Sequence, residues 1–253
     1  MNKIRIIARL DIKNDYVIKG IHLEGLRRVG NPNEMAVEYY KQGVDEIIFM
    51  DAVAAYYDRN SLSEIIEMTC KNVFVPITVG GGIRTIEDVQ TALSAGADKT
   101  AINTAAVRNP NFIKQTSEIF GSQCIVASID AKKVADHKWE VYVDNGREPT
   151  GKDVLEWAQE LETLGAGEIM ITSIDKDGTK RGYDLELNRL ISELVSIPVI
   201  SSGGAGSKEH ISDVIEKTNI DAVSIASVFH YNIESVDTLK TYLITDRKLH
   251  IRL

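Results

Sequence analysis

Cysteine is scarce in this chain: Cys70 and Cys124 are its two among 253 residues, too few for a disulfide framework. No run of 18 apolar residues occurs, so a membrane-spanning helix is excluded. The opening MNKIRIIARLD meets an Arg and an Asp before a signal-peptide core could form. A cytoplasmic chain is therefore expected, with both thiols reduced and buried, Cys124 opening a core strand and Cys70 closing a helical pattern. An excess of positive charge is also lacking. The net charge of -8 and pI near 5.2 argue against a polyanion-binding surface but leave room for a local cationic pocket. The five histidines (His22, His137, His210, His230 and His250) show no ligand-like spacing, so no metal is expected, and His230 reads as structural. Linkers and low-complexity segments are absent, and the 43% apolar and 26% charged residues are ordinary for a globular protein.

What is present is a repeat. Residues 73–104 read VFVPITVGGGIRTIEDVQTALSAGADKTAINT, and residues 195–227 read VSIPVISSGGAGSKEHISDVIEKTNIDAVSIAS. Pro76 aligns with Pro198, Gly81-Gly82 with Gly203-Gly204, Asp98 with Asp221 and Thr104 with Ser227. Upstream, GVDEIIFMD matches GAGEIMITS, and IIARLDIK matches CIVASIDAK. Apolar runs suited to strands buried on both faces fall near 4–11, 46–51, 74–80, 98–103, 124–130, 167–173, 197–202 and 221–226. Helical periodicities lie between them, such as NPNEMAVEYYKQG, where Pro32 opens and Gly43 ends the helix. Four strand-helix units twice over predict an α/β fold, a single (β/α)8 TIM barrel over 1–253, built from homologous half-barrels of about 1–120 and 121–253. Two connections are long. Residues 12–31 follow strand one without helical patterning, and 132–150 follow strand five, with WEVYVDNGRE suggesting a hairpin.

Chemistry-bearing residues fall at the strand ends. Side chains alternate along a strand, so Arg5, Ile7, Arg9 and Asp11 share a face, as do Cys124, Val126, Ser128 and Asp130. Strands one and five stand opposite each other in an eight-stranded barrel. Turned inward, Asp11 and Asp130 would face each other across the mouth, a geometry suited to acid-base work on a ligand between them; capping of the following loops is the other reading. Gly80-Gly81-Gly82 and Gly203-Gly204-Ala205-Gly206 follow strands three and seven, while Asn103-Thr104 and Ala226-Ser227 follow strands four and eight. Glycines let backbone N–H groups approach an anion, and Thr or Ser adds a hydroxyl. One such loop could serve a tight turn alone; two at matching positions predict a ligand with a phosphate at each end. At the opposite end, Arg5, Glu46, Lys99 and Glu168 start strands one, two, four and six with inward parity. They predict a neutral ring of two cations and two anions, about 20 Å below the carboxylates at ~3.3 Å per residue. It would be either a structural plug or an opening for a small neutral molecule.

Together, RIIARLDIK, VIKG, PITVGGGIR, GADKTAINTAAV, FGSQCIVASIDAK, GAGEIMITSIDKDGT, GYD and SGGAG resemble the cyclase subunit of imidazole glycerol phosphate synthase, the HisF family of histidine-biosynthesis barrels. The resemblance covers essentially the whole chain. It implies a lyase of the ammonia-dependent synthase type, paired as a heterodimer with a glutaminase subunit (HisH-like). That enzyme closes an imidazole ring on a bisphosphorylated ribulosyl-formimino substrate, releasing imidazole glycerol phosphate and aminoimidazole carboxamide ribotide. By the same resemblance Asp11 and Asp130 are the catalytic pair. Lys19 belongs to the substrate loop, and Arg5, Glu46, Lys99 and Glu168 form an ammonia gate. Phosphate contacts fall to Gly82, Asn103 and Thr104 on one side and to Asp177, Gly178, Gly204 and Ser227 on the other. No cofactor, metal, nucleic acid or membrane is implied.

Three departures lie at the rim. Arg9 stands where the family has Cys before LD. The loop GIHLEGLRRVGNP has Leu23 and Arg28 where the family has an aromatic and an acidic residue. AVAA follows Asp51 in place of an ITAS-like run. An unpaired buried charge is costly, so Arg9 must pair with Asp11, Asp130 or the ligand. These changes keep a second reading open, a HisF-like paralogue delivering ammonia to a nucleotide-linked sugar in bacterial surface-glycan amidation.

Overall fold

The computed structural model describes residues 3–52 and 62–253. β1 (Arg5–Lys13) rises through the barrel and continues into a hairpin, β2 (Tyr16–Ile21) and β3 (Glu24–Gly30). Then come α1 (Pro32–Lys41), β4 (Glu46–Asp51), α2 (Ser63–Thr69), β5 (Ile77–Gly80), α3 (Ile86–Ser94), β6 (Lys99–Ile102), α4 (Thr104–Arg108) and α5 (Asn111–Phe120). The second half follows the same order: β7 (Ile125–Ala135) with its hairpin β8 (Lys138–Val143) and β9 (Glu148–Asp153), α6 (Val154–Thr163), β10 (Glu168–Ser173), α7 (Leu185–Leu194), β11 (Val199–Ser202), α8 (Lys208–Lys217), β12 (Ala222–Ile225), α9 (Ser227–His230) and α10 (Val236–Thr245).

β1, β4, β5, β6, β7, β10, β11 and β12 pair in parallel in that order, and β12 pairs back onto β1, so the barrel is closed. Local sequence sets the helix ends. Asn31 accepts from the N–H groups of Asn33 and Glu34 ahead of Pro32, and Thr85 with Asp88 forms a capping box on α3. Asp45, just before β4, accepts from Ile6 N–H at 2.7 Å and from Lys240 Nζ at 2.8 Å, tying α10 to the barrel floor.

Two cores result from the strand alternation. Outward residues such as Ile6, Ile47, Val79 and Ile225 pack against the helices. Inward residues Ile7, Ile48, Ala101, Val126, Met170, Ile200 and Ala222 fill the lumen. Each fully buried aliphatic side chain there contributes about 1.5–3 kcal/mol. The lumen is therefore an apolar plug between two polar layers.

Residues 12–31, without helix as expected, form a hairpin with turns at Asn14 (φ 53°) and at His22-Leu23 (φ 53° and 63°). Two expectations need correction. Asp11 and Asp130 do not end their strands, since β1 runs on to Lys13 and β7 to Ala135 to start the hairpins. Cys124 closes a 3-10 turn before β7, and both free thiols are half-buried, not buried.

Candidate active site

The inward register of β1 and its neighbours builds the rim. Asp11 and Asp130 are both buried there, at 7% and 8% exposure, and have different partners. Arg9, two residues below Asp11 on the same face, donates from Nε to Asp11 Oδ1 at 2.8 Å and from Nη1 to Thr172 and Ser202, each at 3.1 Å. The buried guanidinium thus pairs with Asp11, one of the partners expected for it. Asp130 accepts from the side-chain amide of Asn103 at 3.0 Å. These surroundings split the two carboxyls. Burial raises both, but the Arg9 and Lys19 cations outweigh it at Asp11 and hold that carboxyl below its ordinary range. At Asp130 burial prevails, and with the Asp177 and Asp11 charges it overrides Arg9 and Asn103, pushing the group up to about 6. A carboxyl held ionised and one that exchanges its proton near pH 6 suit an acid-base pair.

Two cavities flank Arg9, which lines both. One, of about 380 Å³, is lined by Gly81, Gly82, Asn103, Thr104, Arg108 and Asp130 among others. The other lies across the mouth between Lys19, Asp177, Gly178, Gly204, Ser227 and their neighbours. It measures about 20 Å³, room for roughly one water. Every predicted phosphate contact therefore lines one cavity or the other. Several are already engaged: Thr104 Oγ1 accepts from Asp144 N–H at 3.0 Å, and the Asn103 amide also donates to the Tyr142 carbonyl at 3.2 Å. Gly204 needs its missing side chain. Its φ is 114°, and a Cβ would sit 2.2 Å from the Gly182 carbonyl oxygen.

The hairpin β2–β3 closes the smaller side. Lys19 Nζ is 2.9 Å from both Asp177 oxygens, His22 N–H donates to the Asp177 carbonyl, and Leu23 is buried. Of the departures in this loop, Leu23 lies against Gly146, while Arg28 stacks on Tyr16 at 3.1 Å from the ring centre. In AVAA, Val53, Ala54 and Ala55 lie outside the described residues.

At the barrel floor the four predicted charges form a complete ring. Arg5 Nη1 is 2.7 Å from Glu46 and 2.9 Å from Glu168; Lys99 Nζ is 3.2 Å from Glu46 and 3.1 Å from Glu168. Glu168 Oε2 is buried with no partner among the described residues.

His230, following β12, is buried and bonded to Tyr39 Oη at 2.8 Å through Nδ1. Burial, helped by the Lys19 charge and opposed by Asp11, pushes its imidazole down to about 4, so it is neutral at neutral pH. Sequence reasoning missed Arg108 and Asp144, which pair at 2.8 Å beside the larger cavity. Both lie in loop-flanking positions that no periodicity marks.

Fold and site define a (β/α)8-barrel enzyme whose two-sided, polar mouth lies above an ion-paired floor. Comparison with known proteins names the family. The model of the "Histidine biosynthesis protein" family matches residues 5–234. The imidazole glycerol phosphate synthase subunit HisF of Legionella pneumophila is 59% identical over 209 residues, 83% of this chain and 99% of that protein. The HisF proteins of Bacillus cereus (strain G9842) and Hydrogenobaculum sp. (strain Y04AAS1) are 51% and 50% identical over 249 residues, each covering 98% of both chains. The chain belongs to this family, among its HisF members.

Proposed function

We infer that the chain is the cyclase subunit of an imidazole glycerol phosphate synthase, acting in histidine biosynthesis as its HisF relatives are named. The observation that carries the reading in the structure is the pair of cavities, one on each glycine-rich rim, which share Arg9, the hydrogen-bond partner of Asp11, while Asp130 lines the larger. A linear bisphosphate anchored at both rims holds its middle at the carboxyls, converting a bimolecular encounter into a positioned one. Ammonia attack on the substrate carbonyl, loss of water and ring closure then need proton transfers, which Asp11, held ionised, and Asp130, exchanging its proton near pH 6, supply.

A subunit implies a partner, and we propose a glutaminase docked on the face of the Arg5-Glu46-Lys99-Glu168 ring. Support comes from the lumen: above the ring lies an apolar layer that a small neutral molecule crosses at less cost than an ion. Glu168 Oε2 leaves an acceptor in the ring unclaimed. Among the described residues no helix is long and apolar enough to cross a membrane.

One observation favours the altered-acceptor reading, the presence of Arg9 at the centre of the mouth. Complementation separates the two. Growth without histidine, in a cell lacking its own cyclase but supplied with a matching glutaminase, supports the synthase. Soluble protein that fails to support growth favours a nucleotide-linked sugar.

A further inference from the structure

Among the described residues, Arg9 is the one that lines both rim cavities. From β1 its guanidinium reaches past β12 to Ser202 on β11 and Thr172 on β10, spending Nε on Asp11 and Nη1 on the two hydroxyls. Among the described residues no side-chain acceptor is found on Nη2, and the Arg9 side chain lines both cavities. A guanidinium carries donors and no acceptor. At this midpoint it therefore discriminates: it welcomes an oxygen and rejects a cationic or purely hydrocarbon centre.

Resting on the reading that a bisphosphate spans the mouth, we infer that Arg9 is a specificity-determining residue whose Nη2 donates to the carbonyl oxygen at the middle of that substrate, the carbonyl ammonia attacks. As the ammonia lone pair forms the C–N bond, the carbonyl π pair moves onto this oxygen. A fixed charged donor is worth most to a developing negative charge in a site shut off from water. The oxygen then leaves in water with two protons from the former ammonia, relayed by the aspartates. Asp11 balances the guanidinium in the resting site, while Thr172 and Ser202 hold it in place.

A merely structural Arg9, present to neutralise Asp11, predicts something different, and a cycle between protein and ligand tells them apart. Binding is measured by titration calorimetry, without ammonia, for two linear bisphosphates of equal length. One carries a ketone at its middle and the other a methylene. Wild-type chain is expected to prefer the ketone by at least about tenfold, as for a hydrogen bond to a charged group. Arg9→Gln is expected to bind the two within about threefold. An unchanged preference in Arg9→Gln overturns the inference while leaving the bisphosphate reading intact. Should that variant fail to fold, Arg9→Lys keeps a cation beside Asp11 but falls short of the midpoint; retention of the ketone preference there is equally fatal. If neither bisphosphate binds the wild-type chain, the parent reading falls and takes this inference with it.

Discussion

Lys19 Nζ sits 2.9 Å from both oxygens of Asp177 and 3.7 Å from Asp11. The contact joins the hairpin after β1 to the loop after β10, and all three residues are buried. Breaking such a pair from one side strands the other charge. Lys19→Met is therefore expected to cost about 3–5 kcal/mol in urea unfolding, and Lys19→Met with Asp177→Asn distinctly less. Equal losses in the single and double variants would deny that the pair is what seats the hairpin.

Asp11→Asn and Asp130→Asn should each fold and each abolish turnover with saturating ammonium salt, which bypasses any partner. Near-normal rates in either variant would sink the acid-base assignment.

Asp130→Asn should also change how stability varies with pH. The native carboxyl titrates near 6 against an ordinary 3.8, so the folded state binds more protons than the unfolded across that window. Wild-type stability therefore declines as pH rises from about 4 to 6, and the full cost, about 3 kcal/mol, applies above it. His230 runs the other way. Its imidazole titrates near 4 against an ordinary 6.5, so its contribution grows as pH rises through that window and partly conceals the first. The asparagine variant should be more stable than wild type at pH 7 and no more stable at pH 4. Parallel stability curves would show that burial does not raise the Asp130 carboxyl.

Lys99→Ala tests the floor. Glutamine-dependent turnover in the assembled complex should fall several-fold more than turnover with free ammonia. Equal losses in both assays would reduce the ring to a plug.

Barrel strands were legible in the sequence because burial on both faces leaves continuous β-branched runs, as in IIARL and EIIFM. The inward polar residues were legible by parity alone, which places Arg5, Glu46, Lys99 and Glu168 together. The first hairpin was not. β3 reads EGLRRVG, mostly solvent-exposed, and its turn is made by His22 and Leu23 at positive φ, without the Asn-Gly signal that marks such turns. β9, EPTGKD, contains Pro149 and Gly151 and so reads as loop. Parity set Arg9 beneath Asp11, but its reach to Thr172 and Ser202 depends on side-chain conformation and on strands distant in sequence. Likewise, the unequal titration of two aspartates in matching halves comes from neighbours that the repeat does not share.

The floor has a mechanical consequence. Each glutamate is held by two cations and each cation by two glutamates, so the four form a loop with a redundant link. Swinging Lys99 aside on its long stem releases both of its contacts, yet Glu46, Arg5 and Glu168 remain tied in one unbroken line. The strands that carry them would stay laced with Lys99 displaced. If the ring does admit a small molecule, as proposed, admission would be uncoupled from melting of the barrel's base.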